Sequence, residues 1–410
     1  MKTSAQTRFN VGGVLLDRPF KIRRLGHFGF NLVKMDEGVR FYTELLGFRV
    51  SDVIDYSSRA TRPDQLAGLG DPRGYFMRYG SDHHALVLFN QRVREALGPR
   101  YRAQPGLTIN QITWQVGSLR EVGSAIHWFD KKGVKIQRSG RDMPGSNWHT
   151  YLYDPDGHTN ELYYGIEQIG WSGQSKPKVM YDRGFHEPPA LPQVSEFEEV
   201  QQALKDGVDL LSGYRYIERL PATYDVDGIL LPRPFKIVRL GPVSLFVKDV
   251  HAAESFYRAT LGFVPTEEVS WQGHRCVFMR VSTEHHSLAL YPLALREKLG
   301  MSPHTTSMAL GLQLANYEQL RNAVRFLADH GVRVTSAIPP ELYPGMDYVA
   351  HVFDPDGHCL QLYYYMEQVG WDGKPRPKDL RRKPVDGEWP ATLEPLPDTY
   401  QGEPFLGPWG

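Results

Sequence analysis

Residues 158–171 read HTNELYYGIEQIGW, and residues 358–371 read HCLQLYYYMEQVGW, so Glu161 stands where the second run has Gln361. A carboxylate kept in one copy of a repeat and neutralised in the other can be an anionic metal ligand or an acid–base group in the first copy only. Its plainer role is a solvent-facing strand residue alternating with Leu162. Paired histidines precede a strand-like run in both copies, His83 and His84 in DHHALVLF and His285 and His286 in EHHSLALY. An imidazole titrating near its ordinary pKa of about 6.5 suits proton transfer, while recurrence in both copies argues for a partly structural role. A further histidine, His27 in RRLGHFGFNLV, falls where the copy has Pro242.

The elements that must position these groups follow from the repeat. RPFKIRRLGHFGFNLV matches RPFKIVRLGPVSLFVK, FYTELLGF matches FYRATLGF, and YDPDGH matches FDPDGH. A period of roughly 200 residues is too long for a solenoid and marks two homologous domains in tandem. Within each copy the hydrophobic period switches between strand and helix. In the first copy RRLGHFGFNLV is a strand, MDEGVRFYTELLGF an amphipathic helix ending at Gly47, and RGYFMRYG and HHALVLFN are strands. The order then restarts: INQITWQVG is a strand, SLREVGSAIHWFDKKG a helix N-capped by Ser118 and stopped at Gly133, and KIQRSG, HTYLYD and HTNELYYG are strands. This is an α+β chain of four βαβββ modules, two per domain. The expected boundaries are 1–175 for the first domain, 176–220 for a linker with one helix at about 195–211, 221–375 for the second domain and 376–410 for a proline-rich tail.

Composition bounds the rest. The 410 residues are 41% hydrophobic and carry 47 basic and 47 acidic side chains without a long block of either sign, which argues against nucleic acid or an anionic membrane as partner. The two cysteines, Cys276 and Cys359, lie in strand-like runs, so no disulfide framework or cysteine zinc site is expected and a reducing compartment is implied. With no apolar leader-like stretch at the start and no run of about 18 apolar residues, the chain reads as cytoplasmic.

The modules, the FYxxxLGF helix end, the HHxL run and YDPDGHxxEL together resemble the vicinal oxygen chelate superfamily, and the tandem length resembles its two-domain type I extradiol ring-cleaving dioxygenases. The likeness covers about 20–171 and 235–371. It implies paired modules curled into half-open barrels, with a divalent metal held by cavity-facing strand residues. Carried over, the metal ligands are His27, Gln111 and Glu161, the catalytic pair is His84 and Tyr151, and His83 and His149 are substrate-side groups. Extradiol enzymes usually have a second histidine where Gln111 stands. In the second domain the same places hold Pro242, Ala309 and Gln361, with His286 kept and His351 replacing Tyr151, so that domain is expected to be metal-free. The family's auxiliary histidine is replaced by Asp142 or Ser146.

The resemblance implies Fe(II), with Mn(II) as the second choice because an amide oxygen weakens the preference for softer ions. It further implies a catecholic aromatic substrate, O₂ and a homo-oligomer. Two other activities fit the same residues. One is a non-redox isomerase, epimerase or lyase acting through an enediolate, with His84 as a fourth ligand; the other is a non-catalytic binding barrel in which His27 and Glu161 are structural. Substrate-selecting residues are placed in the loops 55–74 and 91–106.

Overall fold

The computed structural model describes residues 8–62, 64–98, 106–141, 143–145, 147–181, 190–370, 372–385 and 387–394. Asp142, Ser146, residues 99–105 and the last sixteen positions of the tail therefore lie outside the described residues, and the expected loop at 91–106 instead opens as a helix, Gln91–Ala96. Each module starts with a strand, crosses over a helix and returns antiparallel hairpin strands, so its first and last strands pair in parallel. Thus Ile22–Leu32 runs parallel to Leu86–Asn90, and Ile109–Val116 parallel to Thr159–Tyr164. The two modules join back to back where Ile22–Leu32 pairs antiparallel with Ile109–Val116. The resulting sheet has the order Arg49–Asp55, Arg73–Arg78, Leu86–Asn90, Ile22–Leu32, Ile109–Val116, Thr159–Tyr164, Trp148–Tyr153, Ile136–Gly140, and its two outer strands do not pair. This is the open, curled sheet expected of two βαβββ modules. The second domain repeats it strand for strand, around Ile237–Val247 and Ser307–Leu314.

The module helices follow their sequence signals. Leu119–Lys131 is N-capped by Ser118, whose hydroxyl accepts from the Glu121 N–H. Met35–Arg40 continues as a π-helical turn, Phe41–Leu45, before Gly47 at φ +82. The linker helix is shorter than expected: Glu196–Lys205 opens on a Ser195 capping box and is stopped by Gly207 at φ +73, and a separate 3-10 turn, Leu210–Ser212, follows. Cys276 and Cys359 are buried and unpaired. No helix among the described residues is long and apolar enough to cross a membrane.

The two sheets share one continuous apolar core, with Trp114 of the first domain edge-on to Phe263 of the second at 4.9 Å. The DPDGH turns tie them reciprocally. Tyr42 Oη donates to Asp354 Oδ2 and Tyr257 Oη to Asp154 Oδ2, both at 3.0 Å, and all four side chains are buried. Asp156 and Asp356 at the turn tips accept backbone N–H groups of the opposite domain, from Lys248 and Lys34, each at 3.1 Å. The turn that reads as a mere chain reversal in the sequence is thus the domain–domain clasp. Bonds to a buried carboxylate are worth about 1.5–3 kcal/mol each. Tyr42→Phe and Tyr257→Phe are each expected to cost about that much in urea unfolding, with both domains still melting in one transition; separate transitions would contradict the shared core.

Candidate metal centre of the first domain

Strand register places the chemical groups. Across the sheet centre His27 pairs with Thr113, and Thr113 with Glu161, so three adjacent strands set these residues abreast. Glu161 faces Tyr151 across the next pair, and Tyr163 faces His149. Because side chains alternate along a strand, Gln111, Thr113, His149, Tyr151, Glu161 and Tyr163 share one face with His27.

Glu161 is the centre of that face and has no solvent exposure. Its Oε2 accepts from the Thr113 hydroxyl at 2.8 Å and from the Gln111 amide at 3.1 Å, and lies 3.1 Å from His27 Nε2. Its Oε1 accepts from the Asn147 amide at 3.1 Å, with His149 Nδ1 at 3.8 Å. Burial pushes the carboxyl up, but the charge and hydrogen bond of His27, then His149 and Thr113, outweigh it and hold the group below the usual carboxylate range. Glu161 is therefore an anion at neutral pH, and a solvent-facing role is excluded.

His84 comes from the turn before Leu86–Asn90. Its ring lies 4.2 Å from that of His27 and edge-on to Phe76 at 5.1 Å, and its Nδ1 is 3.1 Å from His83 Nδ1. Burial first, then the neighbouring His27 and His83, drive His84 well below the ordinary histidine range. The sequence-based expectation of a titration near 6.5 is thereby corrected: His84 is a neutral imidazole throughout the physiological range. His83 faces Asp52 at 3.8 Å and its backbone N–H donates to the Glu167 carbonyl. Tyr151 lies on the same face but packs on His149 at 4.7 Å and under the Arg138 guanidinium at 4.7 Å.

Thr113, Asn147 and Tyr163 were not singled out from sequence. Thr113 and Asn147 are ordinary polar residues until register brings them to Glu161. Tyr163 is two residues beyond Glu161 on the same face; its ring lies 5.1 Å from His27 and its buried hydroxyl has no hydrogen-bond partner. The i, i+2 spacing in NELYYG was the available signal.

Among the described residues no group of three or more His, Cys, Asp or Glu side chains is arranged to hold a metal ion. The donors that do converge are one imidazole, one amide and one carboxylate. The 3.1 Å contacts from Glu161 Oε2 to His27 Nε2 and the Gln111 amide hold the three groups together, and the amide would need to turn its oxygen inward to serve as a ligand. His27 Nδ1 lacks the outer hydrogen bond that commonly orients a ligating imidazole, and the rings of His84 and Tyr163 flank it instead. The three donors fit a hard divalent ion.

In the second domain Gln361 bonds His351, Nε2 to Nε2 at 3.2 Å, and burial pushes His351 down to about 3, so a neutral amide meets a neutral imidazole. Tyr363 Oη donates to the Gly241 carbonyl at 2.7 Å. The tail closes the adjoining region: Arg381 bridges Glu267 at 2.7 Å and Glu367 at 2.9 Å beside His285.

Residues 24–162 and 239–362 match the family model described as Glyoxalase/Bleomycin resistance protein/Dioxygenase superfamily. The chain belongs to this superfamily. Among curated proteins it is 31% identical over 156 residues to metapyrocatechase 2 of Cupriavidus necator, covering 38% of this chain and 40% of that protein. It is 25% identical over 165 residues to 3-methylcatechol 2,3-dioxygenase of Pseudomonas putida, covering 39% and 47%. The chain thus spans less than half the length of these relatives. Solved structures with the same fold include the Mn(II)-bound glyoxalase from Novosphingobium aromaticivorans, at 13% identity with TM-score 0.51 over 86% of this chain and 85% of that one. A 2,3-dioxygenase from Pseudomonas sp. KL28 superposes at 15% identity with TM-score 0.53 over 87% and 96%.

The Glu267 cluster has a measurable consequence. Burial raises this carboxyl, but the bonds of His285 and Arg381 dominate and bring it from 4.5 to about 2. Its stabilisation is therefore complete above pH 4.5 and lost as pH falls toward 2. Glu267→Gln is expected to lower stability at pH 7 by on the order of 2 kcal/mol, with the difference from wild type shrinking below pH 4.5. A difference independent of pH in acid denaturation curves would contradict this.

Proposed function

We propose that the chain is an extradiol-type ring-cleaving dioxygenase whose divalent metal, Fe(II) by preference, is held in the first domain by His27, Gln111 and Glu161. The observation that carries this reading is the convergence of those three groups beside a neutral His84, with Pro242, Ala309 and Gln361 at the same places in the second domain. The dioxygenases of catechols among its relatives support the substrate class, a vicinal dihydroxy aromatic.

A bound ion would supply Lewis acidity toward two vicinal oxygens and, as Fe(II), redox chemistry toward O₂. The chain's own groups do the remaining work. Neutral His84 can accept a hydroxyl proton from the substrate, which an imidazolium could not do. The Tyr163 ring flanks His27, with its buried hydroxyl against Gly26. Tyr151 and His149 line the same face, with Arg138 over the Tyr151 ring. Burial of His27, His84, His149, Tyr151 and Glu161 strengthens these interactions.

A second reading, an enediolate isomerase or lyase, is favoured by one feature: the imidazole–amide–carboxylate set with His84 against His27 lacks the second histidine ligand. Metal analysis of anaerobically purified protein, followed by oxygen uptake with catechol and 3-methylcatechol, separates the two. About one iron per chain is expected, reduced at least about tenfold in His27→Ala and Glu161→Gln, with oxygen consumed and a yellow ring-fission product formed. Bound Mn(II) or Mg(II) without oxygen uptake would move the assignment to the enediolate chemistry. Full retention of metal in both variants would contradict the site itself.

A further inference from the structure

His84 can take up a proton only through a ring nitrogen that holds a lone pair, and its two nitrogens are not equivalent in this fold. Its Nδ1 is turned to His83 Nδ1 at 3.1 Å. One of those two atoms must carry hydrogen and the other a lone pair, so the bond has two directions with opposite consequences. If His83 donates, neutral His84 carries its hydrogen on Nε2 and has no basic nitrogen left. If His84 donates, its Nε2 is the base.

What lies behind His83 decides the direction. Its other nitrogen, Nε2, is buried without a hydrogen-bond partner and faces Asp52 Oδ2 at 3.8 Å. That gap is too long for a hydrogen bond, so the carboxylate acts on the ring through its charge. Asp52 is held there because its Oδ1 accepts from the Val53 N–H at 2.8 Å. Glu167 adds a second carboxyl: its Oε1 accepts from the Lys176 N–H at 2.7 Å, and its Oε2 is buried and unpaired. Burial pushes the Glu167 carboxyl up, His83 and the Lys176 N–H oppose the rise, and Asp52 adds to it. Hydrogen on a ring nitrogen that faces a buried carboxylate is favoured, because a bare lone pair would turn negative charge toward negative charge. With hydrogen on His83 Nε2, His83 Nδ1 is an acceptor and the donor of the histidine pair is His84 Nδ1.

The second copy carries the same chain of groups. His285 Nδ1 lies 3.1 Å from His286 Nδ1, and His285 Nε2 lies 3.1 Å from Glu267 Oε2. Asp52 and Glu267 hold the same register, opposite Phe76 and Phe278. In the second domain Arg381 also comes within 3.3 Å of His285 Nε2 and pairs with Glu267. The first domain has Tyr181 at the place of Arg381, so no guanidinium stands there against the carboxylates behind His83.

We propose that Asp52 and His83 are positioning residues that hold His84 as the Nδ1–H tautomer, with Nε2 as its one basic nitrogen. His83 then acts through His84 and not by touching substrate. The proposal deepens the dioxygenase reading, since it rests on His84 as the group that receives the substrate proton. Setting the tautomer changes no charge; it places the lone pair.

Neutron diffraction from deuterated crystals of the full chain tests the assignment directly, whatever metal is bound. Deuterium is expected on His84 Nδ1 and His83 Nε2, with His84 Nε2 bare; deuterium on His84 Nε2 overturns the proposal. Oxygen uptake with catechol gives a second readout. In Asp52→Asn the Val53 N–H keeps the amide oxygen and so turns the NH₂ group to His83, which reverses the bond. This variant is expected to lose at least about tenfold in kcat with KM little changed, whereas Asp52→Glu, which copies the second domain, keeps kcat within about threefold of wild type. Equal losses in both variants, as from a merely structural role, or full kcat in Asp52→Asn, overturn the proposal. If Asp52→Asn fails to fold, the deuterium positions in the wild type decide. A wild-type chain that consumes no oxygen with catechols would remove the proposed reaction and leave the deuterium result standing, so the two failures are distinguishable.

Discussion

A carboxylate removed from water must be held by donors or cations, because an uncompensated buried charge costs several kcal/mol. Glu161 meets that demand with Thr113, Gln111 and Asn147 as donors and two imidazoles within reach. Those partners come from three other strands, Ile22–Leu32, Ile109–Val116 and Trp148–Tyr153, and from one loop, so satisfying a single side chain specifies the register at the centre of the first sheet. A divalent ion entering between His27, Gln111 and Glu161 would replace part of that support with a stronger one, and the surrounding amides and hydroxyl would become the groups that orient the ligands.

The second domain shows the same backbone freed from this demand. With Gln361 in place of the carboxylate, one neutral contact to His351 suffices, Ala309 and Pro242 take the places of the other donors, and the Gly241 carbonyl satisfies Tyr363. The second domain also braces the first. Its core is continuous with that of the first, and its Tyr257 and Asp354 complete the reciprocal clasp through the DPDGH turns. The tail that places Arg381 between Glu267 and Glu367 seals a region whose counterpart in the first domain holds Asp52, His83 and Glu167.

Much of the architecture was legible because the repeat doubles every signal: helix stops at Gly47 and Gly262, the Ser118 cap, and alternation in the strands all occur in matched pairs or at matched places. His27, Gln111 and Glu161 were legible through family resemblance, and the register brings all three together. Thr113 and Asn147 were not, since a threonine on a strand and an asparagine in a loop carry no signal until cross-strand pairing is known. The state of His84 was also hidden, because burial by Phe76 and neighbouring imidazoles is a property of three-dimensional packing. The linker helix was overextended because helical periodicity continues through Asp206 and Gly207, and only the left-handed glycine backbone ends it.

The most direct measurement is anomalous X-ray scattering from crystals of the full chain grown with Mn(II). A peak within bonding distance of His27 Nε2, the Gln111 amide oxygen and Glu161 Oε2, with none beside Gln361, is the expected result. A first domain without bound manganese, or a peak centred on the second domain, would contradict the assignment of the metal to Glu161.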